Sequence, residues 1–269
     1  VKFYPAESGA ELTKVGKSVA ANSTNLLSPL VATANAATQK LISNDPSIQV
    51  VARNNPAVVK VGTIYCTDFT LFYKSVRQPI KGACTGGTGS GSILNPEGYV
   101  STNGHVINSS FIVALSSSLQ YNLTVIRSYL DYLVKIGYTP SDNADEVYAA
   151  IKAGDKNLIK QVLQTLSEVL PASQYKIDSE EYQYSVQLGN DSIEFNWEGA
   201  KPAFNYSDNI VVAKLVDKNY SIEDLYSGKG FTASDVAILK LEPKNNYPFV
   251  MLGSIDSLTQ GTPLTVIGF

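Results

Sequence analysis

Apolar and polar positions along this chain change their spacing several times, and each change marks an element. Residues 1–50 set Leu26, Leu27, Leu30, Val31 and Leu41 at helical spacings in a stretch rich in Ala, Ser, Thr and Asn. Amphipathicity there is weak, so the stretch reads as an N-terminal arm, free to pack on the domain or on a neighbouring copy. From Ala57 short β-rich runs take over: Ala57–Tyr65, Gly89–Leu94, Tyr99–Thr102 and Phe111–Leu115. Between the second and third, Asn95-Pro96-Glu97-Gly98 has the proline and glycine of a tight turn. Successive strands joined in this way form an antiparallel meander.

The period then lengthens. Tyr121 to Gly137 places Leu123, Ile126, Leu130, Leu133 and Val134 three and four residues apart, which predicts a helix. A second is predicted from the polar run Ser141–Glu146 to near Gly154, and a third from a cap at Asp155 to Pro171, which stops it. Alternation returns in Tyr182–Leu188, Ser192–Trp197, Asn209–Val216, Val236–Leu241 and Leu264–Ile267. The simplest architecture is mainly β with a helical insertion, an α+β chain. A β-barrel is expected from residues 51–115 and 205–269, interrupted at 116–204 by about three helices and a β-hairpin.

Composition narrows the partners. Of the 269 residues, 44% are hydrophobic and 17% charged, as in a packed globular protein. The net charge of -3 offers no basic footprint for nucleic acid, and the short stretch from Lys74 to Lys81 reads as a solvated loop. Uninterrupted apolar runs of about 18 residues, the length needed to span a bilayer as a helix, do not occur. The chain opens on Val1-Lys2-Phe3-Tyr4, as either a processed exported protein or an arbitrary boundary would. Asn-x-Ser/Thr sequences at Asn22, Asn108, Asn122, Asn190, Asn205 and Asn219 favour a secreted, extracellular, cell-surface or periplasmic setting with glycosylation open at each. Cys66 and Cys84 flank one expected hairpin and are compatible with a disulfide; two buried free thiols are the other reading.

The chain has one histidine, His105, in Gly98-Tyr99-Val100-Ser101-Thr102-Asn103-Gly104-His105-Val106-Ile107. An imidazole gains and loses a proton near neutral pH, which suits a general base for a hydroxyl or thiol nucleophile. Here the chain resembles the trypsin-like serine proteases, and within them the HtrA (Deg) branch. The matching stretches are Asn55-Pro56-Ala57-Val58-Val59, Gly89-Ser90-Gly91-Ser92-Ile93 and the run from Asn95 to Ile107. Asp235-Val236-Ala237-Ile238-Leu239-Lys240-Leu241, Leu252-Gly253-Ser254 and the run from Gly261 to Gly268 follow in the same order.

The resemblance implies the N-terminal six-stranded antiparallel β-barrel of a chymotrypsin/trypsin-like double-barrel fold. It carries the general-base role to His105 and the orienting-carboxylate role to Asp235, and it implies a protein or peptide substrate and no cofactor. It also sets Cys66 and Cys84 at facing ends of the first two strands, where antiparallel neighbours come close enough to bond. The family's Gly-x-Ser-Gly-Gly nucleophile motif does not occur downstream of Asp235. Ser90 and Ser92 fall in a strand before the histidine and are not nominated. The serine, its oxyanion hole and the specificity pocket are therefore expected in a C-terminal barrel or a processed second chain, the run Leu264–Ile267 closing the first barrel. The helical insertion and the arm lie outside the resemblance and are open to roles in substrate recognition or homo-oligomer assembly.

Three other chemistries are weaker. Both cysteines precede His105 in sheet-forming positions, one histidine without a Cys-x-x-Cys makes a poor transition-metal site, and Gly86–Gly91 lacks the lysine and helix of a phosphate loop. The competing reading from another class is an extracellular structural or adhesive protein that keeps a protease-like barrel without catalysis. Sixteen tyrosines, low charge and the glycosylation sequences suit an exposed surface component.

Overall fold

A computed structural model describes residues 45–189, 195–205, 209–220, 234–242, 246–254, 256 and 258–269. Most of the arm expected at 1–50, and the sequences at Asn22 and Asn190, lie outside the described residues. Of the arm, only Asp45 and the first turns of helix α1 (Pro46–Asn54) are described, with the Asp45 carboxylate accepting the Ser47 N–H at 2.8 Å.

Two long strands organise everything that follows. β1 (Val58–Tyr73) and β2 (Val76–Ile93) pair antiparallel from Val58↔Ser92 to Tyr73↔Val76 around a tight turn in which Lys74 takes φ 51°. With β3 (Tyr99–Thr102), β4 (Gln174–Gln187), β7 (Ile210–Asn219) and β8 (Val236–Glu242) they close a six-stranded antiparallel barrel of order β1-β2-β3-β8-β7-β4. β4 returns beside β1 while β1, β2 and β3 run in succession, which is the spatial order of a Greek key. The hairpin of β5 (Phe195–Glu198) and β6 (Lys201–Phe204) stands apart as its own two-stranded sheet. Phe204 seats its ring over Gly62 of β1, where an added Cβ would lie 2.6 Å from the ring.

Position along β1 divides its buried side chains between two cores. Val59 and Val61 point into the barrel with Ile93, Val100, Val186 and Leu239, all fully buried. Beyond an irregularity between Thr67 and Phe69, the outer halves of β1 and β2 leave the barrel, with β4 still paired alongside. There Phe69, Leu71 and Ile80 meet the helices α3 (Phe111–Tyr121), α4 (Leu123–Lys135), α5 (Ser141–Lys152) and α6 (Lys156–Val169) in a second core. Each fully buried Leu, Ile or Phe contributes roughly 1.5–3 kcal/mol. The helices therefore extend the hydrophobic interior.

Two helices are capped as their sequences signal, whereas α5 follows Pro140 without a side-chain cap. Asn122 caps α4 by accepting from Thr124 and Val125, and Gly137 at φ 75° follows its end. Asp155 caps α6 by accepting from Asn157 and Leu158, and Pro171 falls in the 3₁₀ turn just after it. At the tight turn, Gly98 takes φ 86° and donates to the Asn95 carbonyl at 3.0 Å.

Several expectations are corrected. Phe111–Leu115 is not a strand but the start of α3, because Phe111, Ala114, Leu115, Ser118 and Leu119 form one buried helical stripe that a five-residue window cuts short. The second core thus holds four helices rather than about three. The 116–204 boundaries also fail, since β4 lies inside them and is a barrel strand along β1 and β7. Leu264–Ile267 closes no barrel. Residues 258–269 contain no strand, and Val266 is 82% exposed. β8 closes the ring instead, pairing with both β3 and β7.

Cys66 and Cys84 are bonded to each other. They face one another in mid-ladder rather than at strand ends. Closing a loop of this length contributes roughly 3 kcal/mol on a chain-entropy estimate. Next to the bridge, the fully buried Ser118 Oγ accepts the Cys84 N–H at 2.7 Å and donates to the Cys84 carbonyl at 3.0 Å, tying α3 to β2. Replacing it leaves both main-chain groups buried and unpaired. Ser118→Ala should lower the unfolding free energy by about 1–3 kcal/mol in chemical denaturation; an unchanged midpoint would show that this tie carries no stability.

Candidate functional site

The site lies where β3 ends and β8 begins. Pairing of Thr102 with Ala237 brings the residues that follow β3 beside those that precede β8. After Thr102 the chain passes through Asn103 in an extended conformation and enters α2 (Gly104–Ile107), a single helical turn. Two contacts hold that turn. Ile107 is fully buried in the barrel core, and Val106 fits against Gly89 of β2, where an added Cβ would stand 2.4 Å from its side chain.

His105 and Asp235 meet there. His105 Nδ1 is 2.6 Å from Asp235 Oδ2, the His105 main-chain N–H donates to Oδ1 at 2.9 Å, and Asn103 Nδ2 donates to Oδ2 at 3.1 Å. Asn103 stands at the N-cap position of α2 without making a side-chain cap there, its amide being turned to Asp235. Burial pushes the Asp235 carboxyl up, but the His105 main-chain N–H, the Asn103 amide and the imidazole outweigh it, and the group sits below its ordinary value. An ionised carboxylate only accepts, so Nδ1 carries the proton between them and Nε2 presents a lone pair. Nε2 makes no hydrogen bond among the described residues, and the imidazole side chain is 57% exposed against 29% for Asp235.

Tyr220, just after β7, forms a wall of the site. Its ring meets the imidazole edge-on at 6.4 Å between centroids. Gly104 makes this approach feasible, because an added Cβ would lie 2.2 Å from Tyr220 Cβ and 3.2 Å from Asp235 Oδ1.

The structure brings His105 and Asp235 together, and it adds Asn103, Gly104 and Tyr220, which the sequence reading did not single out. Asn103-Gly104 before a histidine carries a signal, since an Asn there reads as a cap whose amide is free to turn elsewhere. Tyr220 carries none, because its place depends on where β7 ends. Ser90 is occupied elsewhere: its Oγ accepts the Phe269 N–H at 2.7 Å and donates to the Phe269 carbonyl at 3.3 Å. Among the described residues no serine or cysteine hydrogen-bonds the imidazole.

Of the Asn-x-Ser/Thr asparagines, Asn205 and Asn219 are exposed. Asn108 and Asn122 are not. Attachment requires Nδ2. In Asn108 that atom is buried, and in Asn122 it donates to the carbonyls of Gly82 and Ala200 at 3.3 and 2.9 Å. The side-chain nitrogens of these two residues are sheltered in the folded chain.

Because the Asp235 carboxyl titrates lower in the folded chain than when unfolded, the stability it supplies is full above the ordinary carboxylate value of 3.8 and is lost as pH falls through the depressed folded value. The difference in unfolding free energy between the native chain and Asp235→Asn should therefore shrink in that acid window and hold steady above it. A pH-independent difference would refute the linkage.

No family model matches this chain, and no curated protein matches it in sequence.

Proposed function

We propose that this chain is the His- and Asp-bearing barrel of a secreted, trypsin-like serine endopeptidase of the HtrA-like kind. The observation that carries the reading is the His105–Asp235 pair, 2.6 Å from Nδ1 to Oδ2, with Asp235 held by two further donors and Nε2 turned free. Its setting supports the same reading: a closed six-stranded antiparallel barrel with Greek-key strand order and one disulfide.

In this reading His105 Nε2 takes the proton of a serine hydroxyl as that oxygen attacks the scissile carbonyl, and then delivers it to the leaving amine. Asp235 fixes the ring orientation and tautomer, and stabilises the imidazolium while it carries the proton. Asn103 holds Asp235 in turn. The serine and the N–H donors for the tetrahedral oxyanion come from a second barrel or a second chain. Several described apolar side chains near the end of the chain are open to such a partner: Met251, Leu252 and Val266 are each more than three-quarters exposed, and Phe249, Leu264 and Phe269 are about half exposed. In this reading residues 1–269 by themselves hold half of an active site.

A fluorophosphonate probe on the folded native protein tests this. Labelling is expected, absent in His105→Ala and slowed by about 10⁴-fold in Asp235→Asn, the order of effect seen when a triad loses its carboxylate. Residues 1–269 expressed alone should not label. Folded native protein that never labels would overturn the reading and favour a non-catalytic surface scaffold.

A further inference from the structure

Asn103-Gly104 is the one Asn-Gly pair in the chain. That dipeptide is chemically labile. A main-chain nitrogen can attack the side-chain carbonyl carbon of the asparagine before it, and glycine, with no side chain in the way, closes that ring most readily. The site nevertheless demands both residues. An added Cβ at Gly104 would stand 2.2 Å from Tyr220 Cβ and 3.2 Å from Asp235 Oδ1, so no larger residue fits beside the carboxylate. At position 103 the site uses an amide, whose Nδ2 donates to Asp235 Oδ2 at 3.1 Å. The contacts that shape the His105–Asp235 pair thus place a reactive sequence inside it.

Asn103 is exposed, so water reaches its side chain. It lies in extended backbone, φ -77° and ψ 144°, before the single turn of α2. The Gly104 N–H makes no hydrogen bond among the described residues. Two bonds oppose ring closure: Nδ2 to Asp235, and the Val106 N–H to the Asn103 carbonyl at 3.1 Å. Gly104 is also buried, so its nitrogen reaches the side chain only when the turn opens. Ile107 anchors the far end of α2 in the core, whereas the Asn103 end rests on these few contacts. Opening a single turn costs far less than unfolding the barrel. Asn108-Ser109, a milder pair of the same kind, has its amide nitrogen buried and serves as an internal comparison.

We propose that Asn103 is a self-modification site, at which deamidation through Gly104 switches off the His105–Asp235 pair. The Gly104 nitrogen bonds to Asn103 Cγ, the Cγ–Nδ2 bond breaks, and Nδ2 leaves as ammonia with the proton from Gly104. A five-membered succinimide remains. Water then adds to either ring carbonyl and breaks its bond to the Gly104 nitrogen, which gives aspartate or isoaspartate at 103. No oxidant or reductant is consumed. Both products remove a donor from Asp235 and bring a carboxylate instead. In the aspartate form two negative charges crowd the site, and together they favour the imidazolium, which has no lone pair at Nε2. In the isoaspartate form the main chain gains a methylene before Gly104, which displaces Gly104 from Tyr220 and the His105 N–H from Oδ1. Among the described residues, the titratable groups that face the imidazole are Asp235 before β8 and Tyr220 after β7, while Lys218 of β7 turns its Nζ to Asn108 Oδ1 at 3.3 Å. The modification itself needs no nucleophilic serine; its effect on catalysis rests on the peptidase reading.

The folded chain, warmed at mildly alkaline pH, is sampled over time by peptide mapping and by methyl transfer to isoaspartate. Conversion is expected at Asn103 with Asn108 intact. Asn103→Gln keeps an amide but closes its larger ring poorly, and it should stay unconverted. The chain holds one histidine, so its imidazole C–H resonance reports on the site by itself. Conversion should move the pH midpoint of that resonance up by about one unit, the scale of one charge added a few ångströms away. Asn103→Asp, checked for native circular dichroism, should do the same directly, while the aged native chain gives the answer without any variant. An Asn103 that stays intact in the folded chain long after the free peptide Tyr99–Ile107 has fully converted would overturn the proposal. So would conversion that leaves the resonance unmoved. Conversion with a moved midpoint, in native protein that never labels with fluorophosphonate, would keep the switch and refute the peptidase. Labelling undiminished after full conversion would keep the peptidase and refute the switch.

Discussion

β1 is the strand on which the rest of the molecule is hung, because it is paired on both sides along almost its whole length, to β2 from Val58 to Tyr73 and to β4 from Lys60 to Phe72. Main-chain groups buried in a protein need partners, so a strand paired on both flanks dictates where its neighbours go. The inner halves of these strands enter the barrel and the outer halves form a floor for four helices. One ladder thereby supports two hydrophobic cores, and the Cys66–Cys84 bridge lies across it with Ser118 fastening α3 alongside.

The His105–Asp235 pair is a consequence of this frame. The β3–β8 register brings Thr102 opposite Ala237, and Ile107 pins the intervening turn in the barrel core. Asp235 then receives three donors, which offset the cost of partial burial and keep it ionised. A carboxylate held so firmly orients an exposed imidazole without closing access to Nε2. Rigidity on one side and exposure on the other are what proton transfer to an incoming group requires.

The helical region acquires a different standing once its packing is known. Read as periodic stripes, it looks like an addition to a barrel. In three dimensions Tyr129, Tyr132, Leu119 and Ile126 share a core with Phe69 and Leu71 of the central ladder, so removing the helices would uncover the outer half of the sheet. The same helices are tied to β2 through Ser118 and Asn122.

Local chemistry determined a good deal of this protein by itself. The caps at Asn122 and Asp155, the turn at Asn95–Gly98 and the long helical periods are short-range signals, settled by groups a few residues apart. His105 and Asp235 were legible as residue types in an ordered set of motifs. Only the tertiary structure decided that Phe111–Leu115 begins a helix, that Gln174–Gln187 joins the barrel, and that Leu264–Ile267 pairs with no strand. It alone placed Asn103 and Tyr220 at the site and buried the amides of Asn108 and Asn122. The physical reason is one of range. Helical turns and caps are satisfied within a segment, whereas strand register, burial and edge exposure depend on partners a hundred or more residues away, which local patterning does not encode.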